Sequence, residues 1–213
     1  DYVKSFTHGS SSTDNPKDKH SQISDLDRVI SQLENGTLEG SESLELEFKV
    51  SYNKSDPNDH TKSKKDSIDI VFREVAGMLN TSGGYVFVGI EDNTHRVVGI
   101  DDQVGEMSDD NFETAVHVQF VNRFGPGYGE YVSSKLKLIQ GKKILIISCK
   151  KYNSRPVFMD PMGNLYKRQK FSENKGCLFV RGDDNTNALL AYKMEKVLNW
   201  SEERFGDRNI CFR

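Results

Sequence analysis

Apolar positions along the first half of the chain switch between a helical period and a period of two, and the switches mark out its elements. Leu26, Val29, Ile30 and Leu33 share one helical face, Ser24 stands ready as N-cap with Asp27 three positions on, and Gly36 provides a stop. This predicts a helix over residues 25–35. Leu44, Leu46, Phe48 and Val50 then alternate with Glu45, Glu47 and Lys49, which predicts a half-buried strand with a charged face. Residues 52–65 are polar, contain Pro57 and read as a long loop of the kind that is functional or disordered. A second helix is predicted over 67–79, with Ile68, Val71, Phe72, Val75, Met78 and Leu79 turned inward.

A turn through Asn80, Gly83 and Gly84 leads into a strand at 85–90, with a short partner strand at 97–100 across Asn93 and Thr94. A third helix should start near Ser108 or Asp109 and run to about Phe124, where Gly125-Pro126-Gly127 ends it. Strands follow at 132–138 and 143–149, joined by a hairpin at Gln140-Gly141, then a strand at 177–181 and a closing helix over 186–204. No segment repeats. The pattern describes one α+β unit over residues 23–213, preceded at 1–22 by a tail too polar to offset the entropy of ordering itself.

Composition narrows the class. Hydrophobic residues make up 35% and charged residues 29%, as in a solvated globular protein. The longest apolar runs, such as 144–148, are strand-sized, well short of the ~20 residues that cross a bilayer. No secretory signal is visible, and three scattered cysteines, Cys149, Cys177 and Cys211, suggest no disulfide framework. A reducing intracellular compartment, most simply the cytoplasm, is expected.

The net charge of −3 conceals a polarised distribution. Residues 133–181 hold twelve Lys and Arg against Asp160 and Glu173, a net of +10 that leaves −13 elsewhere. Within this half, Lys142, Lys143, Lys150, Lys151, Arg155, Lys167, Arg168, Lys170 and Arg181 are candidates for the backbone of an RNA partner. Tyr152, Phe158, Tyr166, Phe171 and Phe179 offer rings for base stacking. The competing reading is a solvated sheet face whose aromatic residues are core.

Four segments occur in a telling order: ESLELEFK at 42–49, MLNTSGGYVFVGIEDN at 78–93, VVGI at 97–100 and FVRGDDNT at 179–186. Together they resemble the Schlafen family and its wider group of AlbA-like domains over roughly residues 25–205. The resemblance implies an α+β fold, a mixed or antiparallel sheet flanked by helices. It also implies a metal-dependent endoribonuclease acting on structured or precursor RNA such as tRNA, or else a non-catalytic nucleic-acid-binding or assembly module. The family's three carboxylates match Glu42, Glu47 and Asp92, which would hold Mg²⁺ or Mn²⁺. Such an ion, bound through carboxylates and water, activates a water and polarises a phosphate. Lys49 shares Glu47's side of the strand and can offset phosphate charge.

Periodicity alone pairs Glu47 with Glu45. On a straight strand Glu42 lies about 16 Å from Glu47 and on the other face, so the resemblance requires a turn near Ser43. Bland roles compete for the other positions. Asp92 suits a turn, Gly83 and Gly84 a tight helix-to-strand connection, and Arg181 either a phosphate or Asp183. His60, His95 and His117 lack metal-ligand spacing, and Cys149 and Cys177 have no histidine pair for a structural zinc. Larger relatives build a horseshoe from two such lobes, so a homodimer or a heteromer with a related Schlafen-like subunit is expected.

Overall fold

A computed structural model describes residues 16–39, 42–54, 63–163, 177–182 and 186–189. Helix α1 (Pro16–Asn35) begins ahead of the expected Asp25, because Pro16 suits the first helical position, where no amide donor is needed. Strand β1 (Leu46–Lys49) is shorter than its alternating pattern. Its flanking members Leu44 and Val50 are exposed, since the chain turns at one end and bends away at the other. Helix α2 (Lys64–Asn80) starts three residues before Ser67 because Ser63 and Asp66 form a reciprocal capping box.

Strand β2 (Gly83–Val88) leads to a tight turn, and the predicted partner strand at 97–100 is reduced to a single bridge between Ile90 and Val97. The reason lies in the backbone: Val98 N and Gly99 N both donate to Gly89 O, so the segment crosses β2 and no ladder propagates. A short helix, α3 (Asp101–Val104), was not anticipated. Helix α4 (Asp109–Phe124) has Ser108 as its N-cap, and a 3₁₀ turn over Pro126–Tyr131 follows it. Strands β3 (Val132–Ile139) and β4 (Lys142–Lys150) make the expected hairpin, with Gln140 and Gly141 both at positive φ as a two-residue primed turn requires.

These strands form a mixed four-stranded sheet in the order β1-β2-β4-β3, with β1 parallel to β2 and the other pairs antiparallel. A second, antiparallel sheet contains β5 (Phe158–Met159), β6 (Cys177–Arg181) and β7 (Thr186–Leu189). β7 corrects the expectation that a helix starts at Thr186: residues 186–189 instead pair with β6, and the remainder of that expected helix lies outside the described residues. The main sheet is covered on both faces. Phe48, Phe87 and Ile146, adjacent in register, pack with Val29, Ile30 and Leu33 of α1. On the opposite face Val86, Val88, Leu145 and Ile147 join α2, α4 and the second sheet. The fold is α+β, and no helix among the described residues is long and apolar enough to cross a membrane.

Candidate active site

The register decides where the acidic strand points its charges. Glu47 stands beside Val86, which in turn pairs with Ile147, so its carboxylate projects into the core face that α2 covers. Immediately upstream the chain reverses: Ser43 N donates to Leu46 O at 3.0 Å and Leu46 N to Ser43 O at 3.3 Å. This turn brings Glu42 back along β1, where its Oε1 accepts from Phe48 N at 3.0 Å. The outward amide of an edge strand is thereby satisfied by a side chain. Gly84 permits the approach, since a Cβ there would lie 2.3 Å from Glu45 O. Glu45 itself is exposed and takes no part.

Glu42, Glu47 and Asp92 converge, but on an ammonium. Lys49 Nζ lies 3.7 Å from Glu42 Oε1 and 3.8 Å from Asp92 Oδ2, and it donates to Glu47 Oε1. The cluster is graded in depth. The side chain of Glu47 is 3% exposed, that of Lys49 15% and that of Asp92 45%, so the centre opens to solvent on the Asp92 side.

Beneath it, Arg181 is fully buried. Nη2 donates to Ser43 O at 2.6 Å and Leu46 O at 2.9 Å, Nε to Ser43 O at 2.9 Å, and Nη1 to Glu74 Oε2 at 3.1 Å. Its Nη2 also lies 2.6 Å from Glu47 Oε2, a charge contact without hydrogen-bond alignment because both Nη2 protons point at carbonyls. Arg181 therefore holds the Ser43 turn closed and neutralises Glu47 and Glu74 together. It has no face left for a phosphate, which corrects its assignment to RNA contact; nor does it need Asp183, which lies outside the described residues.

The electrostatics follow from this packing. Burial alone would lower the Lys49 pKa, but Glu47, then Glu74 and Asp92, outweigh it and hold the ammonium above its ordinary range. Burial pushes Asp92 up; Glu47 and Glu74 add to the rise and Lys49 opposes it. Asp92 is thus a stronger base than a free aspartate. With Arg73, which binds Glu74 from the other side, the centre joins Glu42, Glu47, Glu74 and Asp92 to Lys49, Arg181 and Arg73, an excess of one negative charge.

Glu74 escaped the sequence reading, although a signal was present. It lies three residues after Val71 and four before Met78, on the stripe that α2 buries, so a charged group there had to find a partner inside. Asn80, read as a turn residue, likewise binds Val157 through both amide atoms and Phe179 O, fastening α2 to the second sheet.

The basic half is only partly free. Lys142 Nζ donates to Val97 O at 2.9 Å, and Lys143 Nζ pairs with Asp109 at 2.6 Å. Lys150, the last residue of β4, and Lys151 are exposed, and Arg155 is exposed with its guanidinium on the hydroxyls of Tyr128 and Tyr152. Lys167, Arg168, Lys170, Tyr166 and Phe171 lie outside the described residues. Phe179 is wholly buried core and cannot stack on a base, and Tyr152 is flanked edge-on by Tyr128 and Tyr131. His95 packs on Phe48, His117 beside Phe120, and Cys149 and Cys177 are buried thiols.

In chemistry the carboxylate set suits a hard cation; in arrangement it does not. Direct ligands of Mg²⁺ or Mn²⁺ stand at about 2.0–2.6 Å, whereas Glu42 and Asp92 are more distant than that from the point they share, and Lys49 fills it. Among the described residues no three His, Cys, Asp or Glu side chains are grouped to hold a metal ion.

The chain has counterparts in family and in fold. The family model for Schlafen, AlbA_2 matches residues 42–189, from Glu42 to the end of β7. The chain belongs to that family. A protein of Ureaplasma parvum serovar 3 described as an uncharacterized ATP-binding protein is 22% identical over 181 residues, covering 80% of this chain and 46% of its own length. The crystal structure of the DIP2311 protein from Corynebacterium diphtheriae superposes with a TM-score of 0.53 at 18% identity, over 88% of this chain and 33% of that one. The chain thus spans about half of the curated relative and a third of the solved one. This sequence contains no G-x-x-x-x-G-K-[ST] phosphate loop: the glycines Gly84 and Gly89 have that spacing, but Ile90 follows them.

Proposed function

We propose that this domain binds RNA and cuts it as an endoribonuclease, with Glu42, Glu47, Asp92 and Lys49 as its reacting centre. The observation that carries the reading is the convergence of Glu42, Glu47 and the sequence-distant Asp92 on one lysine at a solvent-open edge of the sheet. Asp92, half-exposed and made more basic by burial, takes the proton of an attacking water. Lys49 meets the charge that grows on the phosphate oxygens. The phosphorus–oxygen bond to the leaving ribose breaks, and its oxygen is protonated from solvent. Glu47 and Glu42 orient the ammonium, and Arg181 orients Glu47. Lys150, Lys151 and Arg155 suit the RNA backbone, and a second copy or a related subunit would extend the contact.

One observation favours a second reading, a binding or assembly module without catalysis: both Glu47 oxygens are already engaged by cations. Incubating the protein with tRNA and other small RNAs, with Mn²⁺, Mg²⁺ or EDTA, separates the two. The nuclease reading expects cleavage that Glu47→Ala lowers about 100-fold or more while RNA binding persists. Binding without cleavage under every condition favours the module, and full activity in Glu47→Ala defeats the site.

A further inference from the structure

At the end of the main sheet away from Asp92 lies a group of tyrosines that the proposed chemistry does not use. Lys150 ends β4 opposite Gly83, three residues beyond Ile147, which is level with Glu47 across Val86. Strand spacing places it about 14 Å from the carboxylates. Just beyond, Tyr152 N donates to Leu79 O at 2.9 Å, and the Tyr152 ring packs on the core at the end of α2. Tyr128 and Tyr131, carried by the 3₁₀ turn, meet that ring edge-on, with centroids 5.1 Å and 4.8 Å away and planes at 74° and 90°. All three rings are half-buried against the core. Arg155 is exposed, and its guanidinium binds the hydroxyls of Tyr128 and Tyr152. The edge-on contacts and the shared cation hold the rings in place before any ligand arrives, which lowers the entropy lost on binding.

We infer that Tyr128, braced by Tyr152 and Arg155, stacks on an unpaired base of single-stranded RNA whose neighbouring phosphates lie on Arg155 and Lys150. Charge selects the partner: over residues 126–131 and 150–155 three cations, Lys150, Lys151 and Arg155, stand against one acid, Glu130. A guanidinium has five donors, and two hydroxyls leave part of its fork for a phosphate. An acidic peptide would use the cations alone, whereas a nucleotide uses a ring face and a cation side by side. A duplex keeps the faces of its bases within the stack, so such a site selects unpaired nucleotides. A short run of nucleotides spans the distance to the carboxylates, so a strand anchored here would enter that centre at a set distance from the held base. This inference rests on the RNA-binding part of the reading above, and its test reads binding rather than cleavage.

Fluorescence anisotropy of the full chain with a short, labelled, unstructured RNA, alone and annealed to its complement, provides the test. The single strand should bind about tenfold more tightly than the duplex, and Tyr128→Ala should weaken it about tenfold. That loss should leave the slope of log affinity against log salt unchanged, whereas Arg155→Ala should lower the slope by about one. Tyr128→Phe, which keeps the ring, should stay within about threefold of wild type. Tyr128→Leu fills the same apolar space without an aromatic face and should lose as much as Tyr128→Ala; it decides the matter should the alanine variant not fold. Wild-type affinity for the single strand in Tyr128→Leu, equal binding of strand and duplex by the wild type, or equal competition by polyglutamate overturns the inference. The nuclease reading fails separately: single strands bound through Tyr128 with no RNA cut retain this site and remove the enzyme, whereas RNA cut by the wild type and bound equally by Tyr128→Leu retains the enzyme and removes this site.

Discussion

Two groups of buried charges sit at different places along α2, and they behave in opposite ways. Asp69 and Arg123 are both fully buried and bonded at 2.8 Å. Gly163 N and Met162 N also donate to Asp69, Gln119 binds Arg123, and the guanidinium lies over the Phe72 ring. That pair is balanced and closed. The centre at Glu47 has the same ingredients but one surplus acid, a lysine held among three carboxylates, and an open flank at Asp92. A closed, neutral pair ties the segment at 160–163 to a helix; an unbalanced one with an open side can accept a charged partner. Accessibility and charge balance, not the residue types, distinguish a structural ion pair from a candidate for chemistry.

The comparison can be broken most forcefully at Asp69. Asp69→Ala leaves the Arg123 charge buried and unpaired, which should cost about 3–5 kcal/mol, read as a lower urea midpoint. RNA cleavage per folded molecule should stay unchanged; a selective loss of cleavage would place Asp69 in the chemistry.

A smaller effect of opposite sign is expected at Asp92. Its folded-state pKa lies above the ordinary value of 3.8, chiefly through burial, so the fold disfavours its charged form. For such a group the contribution to stability is complete below the unfolded value and is lost as pH rises through the folded one. Asp92→Asn should therefore unfold at a slightly higher urea concentration than wild type at pH 7, with the difference vanishing near pH 3, while cleavage is lost. Destabilisation at pH 7 would show that Asp92 serves the fold.

The smallest effects belong to the basic surface. Removing Lys150 or Arg155 should weaken RNA binding modestly and reduce the slope of log affinity against log salt by about one. Lys143→Ala, whose ammonium is held by Asp109, should leave that slope nearly unchanged. Equal slopes for all three variants would dissolve the distinction between exposed cations and one held by a carboxylate.

Much of this architecture was legible in the chain. The period-two pattern around Phe48, the inward stripe of α2, the Ser108 cap and the Gln140-Gly141 turn each act through neighbours a few residues away, so local spacing reports them. The family segments also singled out Glu42, Glu47, Lys49 and Asp92. Spacing failed where a contact joined distant parts. Periodicity paired Glu47 with Glu45, because nothing local announces that the Ser43 turn is clamped by a guanidinium from β6. Arg181 read as a phosphate contact or a partner of Asp183 because its actual partners Glu47 and Glu74 are more than a hundred residues away. Thr186 read as the start of a helix because the partner of β7 is another strand.

By itself the sequence determined the principal helices α1, α2 and α4 and the four strands of the main sheet, the membership of its acidic and basic residues in separate halves, and which three carboxylates to watch first. Only the tertiary structure decided that those carboxylates meet around Lys49, that Glu74 joins them, and that Arg181 lies beneath. The energy of a charge depends on its distance from other charges and its depth from water, and both are properties of the folded chain.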